Sequence, residues 1–162
     1  MINKRYLITG GLGFIGSNLI RKLSLLKNVH ICNIDKISYS SSKEALKGIK
    51  TKNYSFKKIN IANQTKVCQI IDNFKPDCII HLAAESHVDR SIESADSFIK
   101  SNICGTFNLL NAVLSHFQKL SSKRKNNFVF HHISTDEVFG TLSDKGFFTE
   151  DTKYDPRSPY SA

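Results

Sequence analysis

Short apolar runs alternate with longer amphipathic ones along all 162 residues of the chain, the pattern of βαβ units wound around a parallel sheet. Nearly continuous hydrophobic stretches predict strands over Arg5 to Thr9, Val29 to Ile34, Cys78 to Leu82 and Phe128 to Ile133. Strands covered by helices on both faces show this lack of polar alternation. Tyr54 to Asn60 is more polar and predicts an edge strand. Between strands, Phe14 to Lys27 sets Ile15, Leu19, Leu23 and Leu26 on one helical stripe, and Gln64 to Phe74 does so with Val67, Ile70, Ile71 and Phe74. Both spacings predict helices that cover the sheet.

A third helical pattern runs without Pro from Ser94 to about Leu120. At 1.5 Å per residue it would extend roughly 40 Å, more than one sheet face requires. Its apolar positions Phe98, Ile99, Ile103, Phe107, Leu110, Val113, Leu114 and Phe117 exceed one stripe, so the surplus face predicts a contact between subunits.

Composition narrows the class. With 40% hydrophobic and 23% charged residues, three Pro and eight Gly, the chain is neither disordered nor collagen-like. The N-terminus has no signal-peptide pattern and no apolar run approaches a membrane span, so a cytoplasmic location with no membrane partner is expected. Cys32, Cys68, Cys78 and Cys104 are 36, 10 and 26 residues apart and lie in or beside apolar runs, which predicts reduced, mostly packed thiols. His131 and His132 alternate across a strand, and neither they nor His81 and His87 have a third ligand at metal spacing, so no metal is expected.

The formal charge of +9 is unevenly spread. Residues 1 to 60 hold twelve Lys or Arg, Lys50 among them, against Asp35 and Glu44, whereas residues 61 to 162 hold eleven against twelve acids. A basic nucleic-acid-binding protein is one reading of that excess, but these cations scatter over helices, loops and Tyr54 to Lys58 rather than sharing a face with aromatic groups. No nucleic-acid partner is therefore expected.

The chemistry concentrates after the first strand, in Thr9-Gly10-Gly11-Leu12-Gly13-Phe14-Ile15-Gly16. Gly10 permits a tight turn, Gly13 removes a Cβ that would block a pyrophosphate, and Gly16 lets the helix lie close on the strand. The helix N-terminus offers N–H groups and a partial positive charge to the phosphates. Asp35 follows nineteen residues beyond Gly16 at the end of the second strand. A carboxylate there accepts from an adenosine ribose and repels a 2′-phosphate, which favours NAD over NADP; Lys36 beside it weakens that exclusion.

The glycine spacing resembles the extended short-chain dehydrogenase/reductases that modify nucleotide sugars. His81-Leu82-Ala83-Ala84-Glu85-Ser86-His87-Val88-Asp89-Arg90-Ser91-Ile92, Ser134-Thr135-Asp136-Glu137-Val138-Phe139-Gly140 and Ser158-Pro159-Tyr160-Ser161-Ala162 together resemble the dTDP-glucose 4,6-dehydratase family in register over the whole chain. The adjacent acids Asp136 and Glu137 carry most of that discrimination, because the related epimerases lack the pair and GDP-mannose dehydratases vary it.

The resemblance implies a Rossmann-type doubly wound parallel α/β sheet, residues 1 to 162 forming an NAD-binding domain that lacks the last strands and the sugar-nucleotide-binding part. It implies NAD⁺ taking a hydride from sugar C4, water leaving across C5 and C6, and the hydride returning to C6 of dTDP-glucose. Tyr160 would remove the C4 hydroxyl proton and Thr135 would hydrogen-bond that oxygen. Glu137 would take the C5 proton, and Asp136 would protonate the departing hydroxyl.

For the cofactor, the resemblance implies contacts from Gly10, Gly13 and Gly16, with Phe14 and Ile15 meeting the pyrophosphate through backbone groups. Asp35, Lys36, Ile37 and Ser38 would hold the adenosine, with Asn60 and Ile61 at the adenine. Leu82, Ala83, Ala84, Glu85 and Ser86 would flank the second ribose, with Ser101 and Tyr160 nearby, and Ser86 and Thr135 would also reach the substrate. Asn60 departs from the usual Asp but retains an acceptor oxygen. A dimer through the Ser94 to Leu120 helix is implied too.

The family pattern places a Lys four residues after the Tyr, where it lowers the phenol pKa, and this sequence has two residues after Tyr160. Ser158 and Pro159 read as the N-cap and first position of a helix. The expectation is a piece of a chain about twice as long with little dehydratase activity of its own. A non-catalytic NAD-binding module and a related nucleotide-sugar epimerase or dehydratase remain the alternatives.

Overall fold

The strand β1 (Lys4–Thr9) lies at the centre of a five-stranded, wholly parallel sheet. On one side follow β2 (Val29–Asp35) and β3 (Tyr54–Lys58), and on the other β4 (Cys78–His81) and β5 (Val129–His132), giving the order β3-β2-β1-β4-β5. Register pairs Leu7 with Cys32 and Ile79, and Thr9 with Ile34 and His81. This is the Rossmann-type doubly wound arrangement expected from the alternation. The computed structural model describes residues 3–49, 52–142 and 146–162. Met1, Ile2 and Lys50, which enter the N-terminal and charge readings, lie outside them.

Successive strand residues point to opposite faces, and each face builds its own core. Leu7, Cys32, Ile34 and Ile79 pack under α2 (Gln64–Phe74) and α5 (Thr106–Gln118), which contribute Val67, Ile71, Leu109, Ala112 and Val113. Ile8, Val29 and Ile31 face the other way, with Ile20 of α1 (Phe14–Ser24) and Leu46 of a 3₁₀ turn at Glu44–Leu46. Leu7, Ile8, Ile20, Ile79 and Leu109 are fully buried, the condition under which truncation to Ala costs about 2–5 kcal/mol.

Four expectations change. First, α1 ends at Ser24, and Ile15 and Leu26 are exposed. A Cβ on Gly16 would lie 2.4 Å from the Gly10 carbonyl oxygen, so Gly16 is the residue pressed onto the strand end. That rotation buries Gly16, Ser17 and Ile20 and turns Ile15 outward. Second, the Ser94 to Leu120 pattern is not one helix. A short α3 (Val88–Glu93) closes at Ser94, which is extended (φ −156°, ψ 116°). Helix restarts in α4 (Asp96–Phe98), widens into a π segment (Ile99–Gly105) and continues as α5. An unbroken apolar spacing cannot distinguish these conformers, because all three keep near-helical periodicity.

Third, β5 is mostly exposed, with Val129 at 44%; it is the edge strand on its side of the described sheet. Fourth, the thiols divide. Cys32 and Cys78 are buried, with burial pushing both up in pKa, while Cys104 is exposed. The remaining differences lie at strand ends: β3 stops at Lys58, β4 at His81 and β5 at His132. A short α6 (Ser122–Lys125) precedes β5. Among the described residues, no helix is long and apolar enough to cross a membrane.

At the opposite sheet end from the glycine turn, Asp77 ties three segments. Its Oδ2 accepts from the Arg5 N–H at 3.0 Å and its Oδ1 from the Arg124 guanidinium at 2.7 Å. Burial pushes this carboxyl up, but the Arg5 and Arg124 donors outweigh it and the pKa is lowered. A lowered carboxyl contributes stability above its unfolded pKa and loses it as pH falls through the folded value. Asp77→Asn is expected to cost about 1–2 kcal/mol in urea unfolding at pH 7, and the gap between variant and parent should close as the pH falls below 4.

Candidate functional site

Between β1 and β4 the chain's connections run to opposite sides of the sheet, so a crevice opens beyond their C-terminal ends. Thr9 closes the floor of it. Its Oγ1 accepts from the backbone N–H groups of Leu82 at 3.2 Å and Ala83 at 3.1 Å and lies 2.7 Å from His81 Nδ1. With two donors already on the oxygen, the hydroxyl proton goes to Nδ1, so neutral His81 carries its own proton on Nε2 and donates it to Thr106 Oγ1 at 3.0 Å. Burial first, and His132 beside it second, hold the His81 pKa down to about 4.

The glycine turn is shaped by what stands around it. Gly10 has φ +71°, and a Cβ there would lie 2.7 Å from the Ala83 backbone. Gly13 differs: an added Cβ would meet only the Gly10 oxygen, at 3.3 Å, so its other side is open crevice. Gly11 was not singled out by the glycine spacing, yet a Cβ on it would lie 2.2 Å from Asn33 Oδ1, a buried oxygen with no hydrogen-bond partner. The α1 N-terminus is capped by Gly13 without a side-chain bond, and no acid sits in its first turn. Its first backbone bond is Ser17 N–H to Gly13 C=O, 2.9 Å, which leaves the N–H groups of Phe14, Ile15 and Gly16 outside the helix's own ladder and directed at the crevice.

This crevice has a volume of about 380 Å³. Gly10, Gly13, Phe14, Ile15 and Gly16 line one wall, and Asp35, Lys36, Ser38, Asn60 and Ile61 another. Leu82, Ala83, Ala84, Ser86, Ser101 and Tyr160 complete the set expected from the sequence. Ile37 and Glu85 do not line it. Ile37 sits behind Asp35 with φ +61°, an uncommon conformation for a β-branched residue, and its N–H donates to Asp35 Oδ1 at 2.7 Å. Ile34, Ser40, Ser41, Ile59, Ile133 and Ser134 line the crevice without having been expected. The Ser38 to Ser41 run carried a usable signal, since clustered serines after a strand-end acid favour a turn that folds back onto it.

Asp35 is buried, and its carboxylate is mostly committed. Oδ1 accepts from the Ile37 N–H and from Ser41 Oγ at 2.9 Å, and Oδ2 from the Leu12 N–H at 3.1 Å. A carboxylate has about four lone-pair sites, so one on Oδ2 remains for a hydroxyl in the crevice. Asn60 lines the same wall with Oδ1 accepting from the Ala62 N–H at 2.9 Å. The Lys36 ammonium, on the same wall, pairs with Glu85 and donates to Ser101 Oγ at 2.9 Å.

A second cavity of about 250 Å³ adjoins the first, and Ala83, Ala84, Ile133, Ser134 and Tyr160 line both. Thr135, Val138, His132 and Thr106 lie only in the second. Tyr160 packs edge-on against Phe98, ring centroids 6.3 Å apart. It sits within a reciprocal cap in which Ser158 Oγ accepts from the Ser161 N–H and Ser161 Oγ accepts from the Ser158 N–H, each at 3.1 Å. Thr135 caps the 3₁₀ turn Asp136–Phe139 by accepting from the Glu137 N–H at 3.2 Å. Asp136 and Glu137 are exposed on that turn and line neither cavity. Among the described residues, no three His, Cys, Asp or Glu side chains gather as a metal set would.

The family profile described as GDP-mannose 4,6 dehydratase matches residues 7–162. The chain belongs to that family. Over 159 residues it is 46% identical to a probable dTDP-glucose 4,6-dehydratase of Sinorhizobium fredii, covering 98% of this chain and 45% of that protein. The crystal structure of a Bacillus anthracis dTDP-glucose 4,6-dehydratase in complex with NAD superposes with a TM-score of 0.80 at 34% identity, over 98% of this chain and 46% of that one. The Streptomyces venezuelae enzyme, also solved with NAD bound, gives 0.82 at 32% identity, over 97% and 47%. The chain thus spans about half the length of the relatives it matches.

His81 links the site to stability. Its pKa is lowered from 6.5 in the unfolded chain to about 4, so between those values the unfolded state binds the extra proton and stability falls as pH falls. Unfolding free energy is expected to drop by about 3 kcal/mol from pH 7 to pH 4 through this group. His81→Gln should flatten that part of the pH profile in denaturant titrations.

Proposed function

We propose that the chain binds NAD in the crevice between β1 and β4 and that its residues serve the 4,6-dehydration of a nucleotide sugar, dTDP-glucose being the substrate named for its relatives. The observation that carries this reading is the opposition, across one crevice, of the unpaired N–H groups of α1 and the remaining Oδ2 site of Asp35. One wall suits a pyrophosphate and the other a ribose hydroxyl. Gly13, open on the crevice side, leaves the room that a Cβ would take.

Bound NAD would supply a hydride acceptor for sugar C4 and a donor for C6. The rest falls to the protein. Tyr160, at the junction of the two cavities, takes the C4 hydroxyl proton. Thr135 Oγ1 already accepts from the Glu137 N–H, so its own proton is available to the same sugar oxygen. Glu137 takes the C5 proton, and Asp136, in its protonated form, delivers a proton to the C6 hydroxyl as water leaves. Two carboxyls in one short turn can divide these roles once a bound sugar covers one more than the other.

A second reading, an NAD-binding module without catalysis, is favoured by one observation: Asp136 and Glu137 stand outside both cavities and in solvent. An assay of 4-keto sugar formation from dTDP-glucose separates the two. Under the first reading the protein at its relatives' full length turns over, and Asp136→Asn lowers that turnover by about 10²–10⁴; dinucleotide binding by that longer protein without turnover selects the second. In both, Asp35→Ala should weaken NADH binding about tenfold or more, consistent with a lost charge-assisted hydrogen bond.

The dimer belongs to the same proposal. Ile99, Ile103, Phe107, Leu110 and Leu114 follow one another at helical spacing and are 45–63% exposed, an apolar stripe on the side of the helix away from the sheet. A second copy of the chain would bury it. Phe107→Glu is expected to yield a monomer in sedimentation experiments under conditions where the parent chain dimerises; a monomeric parent would remove this part of the proposal.

A further inference from the structure

We propose that Glu85, which touches no wall of the crevice, sets its preference for a dinucleotide without a 2′-phosphate by holding the ammonium of Lys36. The inference rests on the dinucleotide reading above and concerns its specificity.

Lys36 is the residue that should spoil the discrimination. It directly follows Asp35 and lines the same crevice, and a cation beside the strand-end acid is the usual means of accommodating a 2′-phosphate. Here its ammonium is spoken for. Two of its three donors go to Glu85 and to Ser101 Oγ, both buried, so the pair contributes no net charge to the adenosine end.

Glu85 is itself fixed. Asn102 accepts from the Glu85 N–H through Oδ1 and donates to the Glu85 carbonyl through Nδ2, each at 2.9 Å. Ser101 and Asn102 are neighbours in the π segment Ile99–Gly105. One of them binds the Lys36 side chain and the other the Glu85 backbone, so the segment holds both ends of the tether. Of the other cations on this side, Arg90 lies over the Tyr39 ring at 4.0 Å, and Lys57 and Lys58, in register with Ile34 and Asp35 on β3, are exposed to solvent, where water screens them. With the Lys36 ammonium held by Glu85, a 2′-phosphate beside Asp35 meets a carboxylate without the one cation that directly follows it in the chain, and its burial there is opposed.

Glu85→Gln retains the shape of the tether but leaves Lys36 with a net positive charge beside the crevice. Direct titration of the purified chain with NADH and with NADPH at one ionic strength measures the ratio of their dissociation constants. The parent should prefer NADH, and Glu85→Gln should shift the ratio toward NADPH at least about tenfold, which is about 1.4 kcal/mol. Adding Lys36→Met to Glu85→Gln should return the ratio to the parent value or beyond.

Ser101→Ala, which loosens the ammonium without touching a charge, should shift the ratio in the same direction by less and serves if Glu85→Gln does not fold. A purely structural role for the tether would weaken both dinucleotides alike and leave the ratio unmoved. That result overturns the proposal, as does a raised ratio that survives Lys36→Met. A parent chain that binds neither dinucleotide overturns the dinucleotide reading itself, and the specificity proposal with it.

Discussion

The site depends on a single hydroxyl. Thr9 Oγ1 joins the ends of β1 and β4 at the one place in the sheet where the chain's connections diverge. Without it the Ala83 N–H would lose its partner, at a cost of about 1–3 kcal/mol, and the Leu82 N–H would keep only its bond to the Thr9 carbonyl, 3.2 Å. The same hydroxyl sets the tautomer of His81 and, through it, the contact with Thr106 on the helix that covers the sheet. Because Ala83 is held here, the Gly10 backbone can run within a Cβ's reach of it, and the glycine turn acquires its shape.

From that junction the crevice takes an uneven electrostatic character. The α1 N-terminus presents unpaired donors without a capping side chain or a first-turn acid, while the far wall presents a carboxylate nearly saturated by its own loop. Saturation does two things. It gives the buried Asp35 carboxyl three donors in place of the water it lost, and it leaves one acceptor site facing the ligand rather than several. The Ser38 to Ser41 turn and the left-handed Ile37 exist in the service of that arrangement, the strained backbone being held by the bonds to Asp35.

The helix between Asp96 and Gln118 works on three sides at once. Leu109, Ala112 and Val113 enter the core, Ser101 and Asn102 reach the loops beside the crevice, and Ile103, Phe107 and Leu114 stand in solvent. Ser101 meets Lys36 from the loop after β2 and Asn102 meets Glu85 from the loop after β4, two consecutive residues of the π turn serving two loops. Gly105 ends that turn where a Cβ would lie 2.7 Å from Ile61, so the change of winding and the close approach to the adenine wall coincide.

Periodicity and spacing determined most of the architecture. Leu7, Ile8, Ile31 and Ile79 lie in runs too apolar for anything but covered strands, Val67 and Ile71 mark a helix whose bounds were read correctly, and the polar Tyr54 to Lys58 strand does lie at an edge. The crevice was legible for a related reason: a glycine turn and a strand-end acid are local features, set by backbone geometry within a few residues. What depended on distant partners was not legible. Gly11 is forced by Asn33 across the sheet, Lys36 is neutralised by Glu85 from another loop, and Ile15 faces the crevice because Gly16 must meet Gly10. Such choices follow from where the elements dock, and a linear pattern records which side of an element is apolar but not which atoms of another element it will meet.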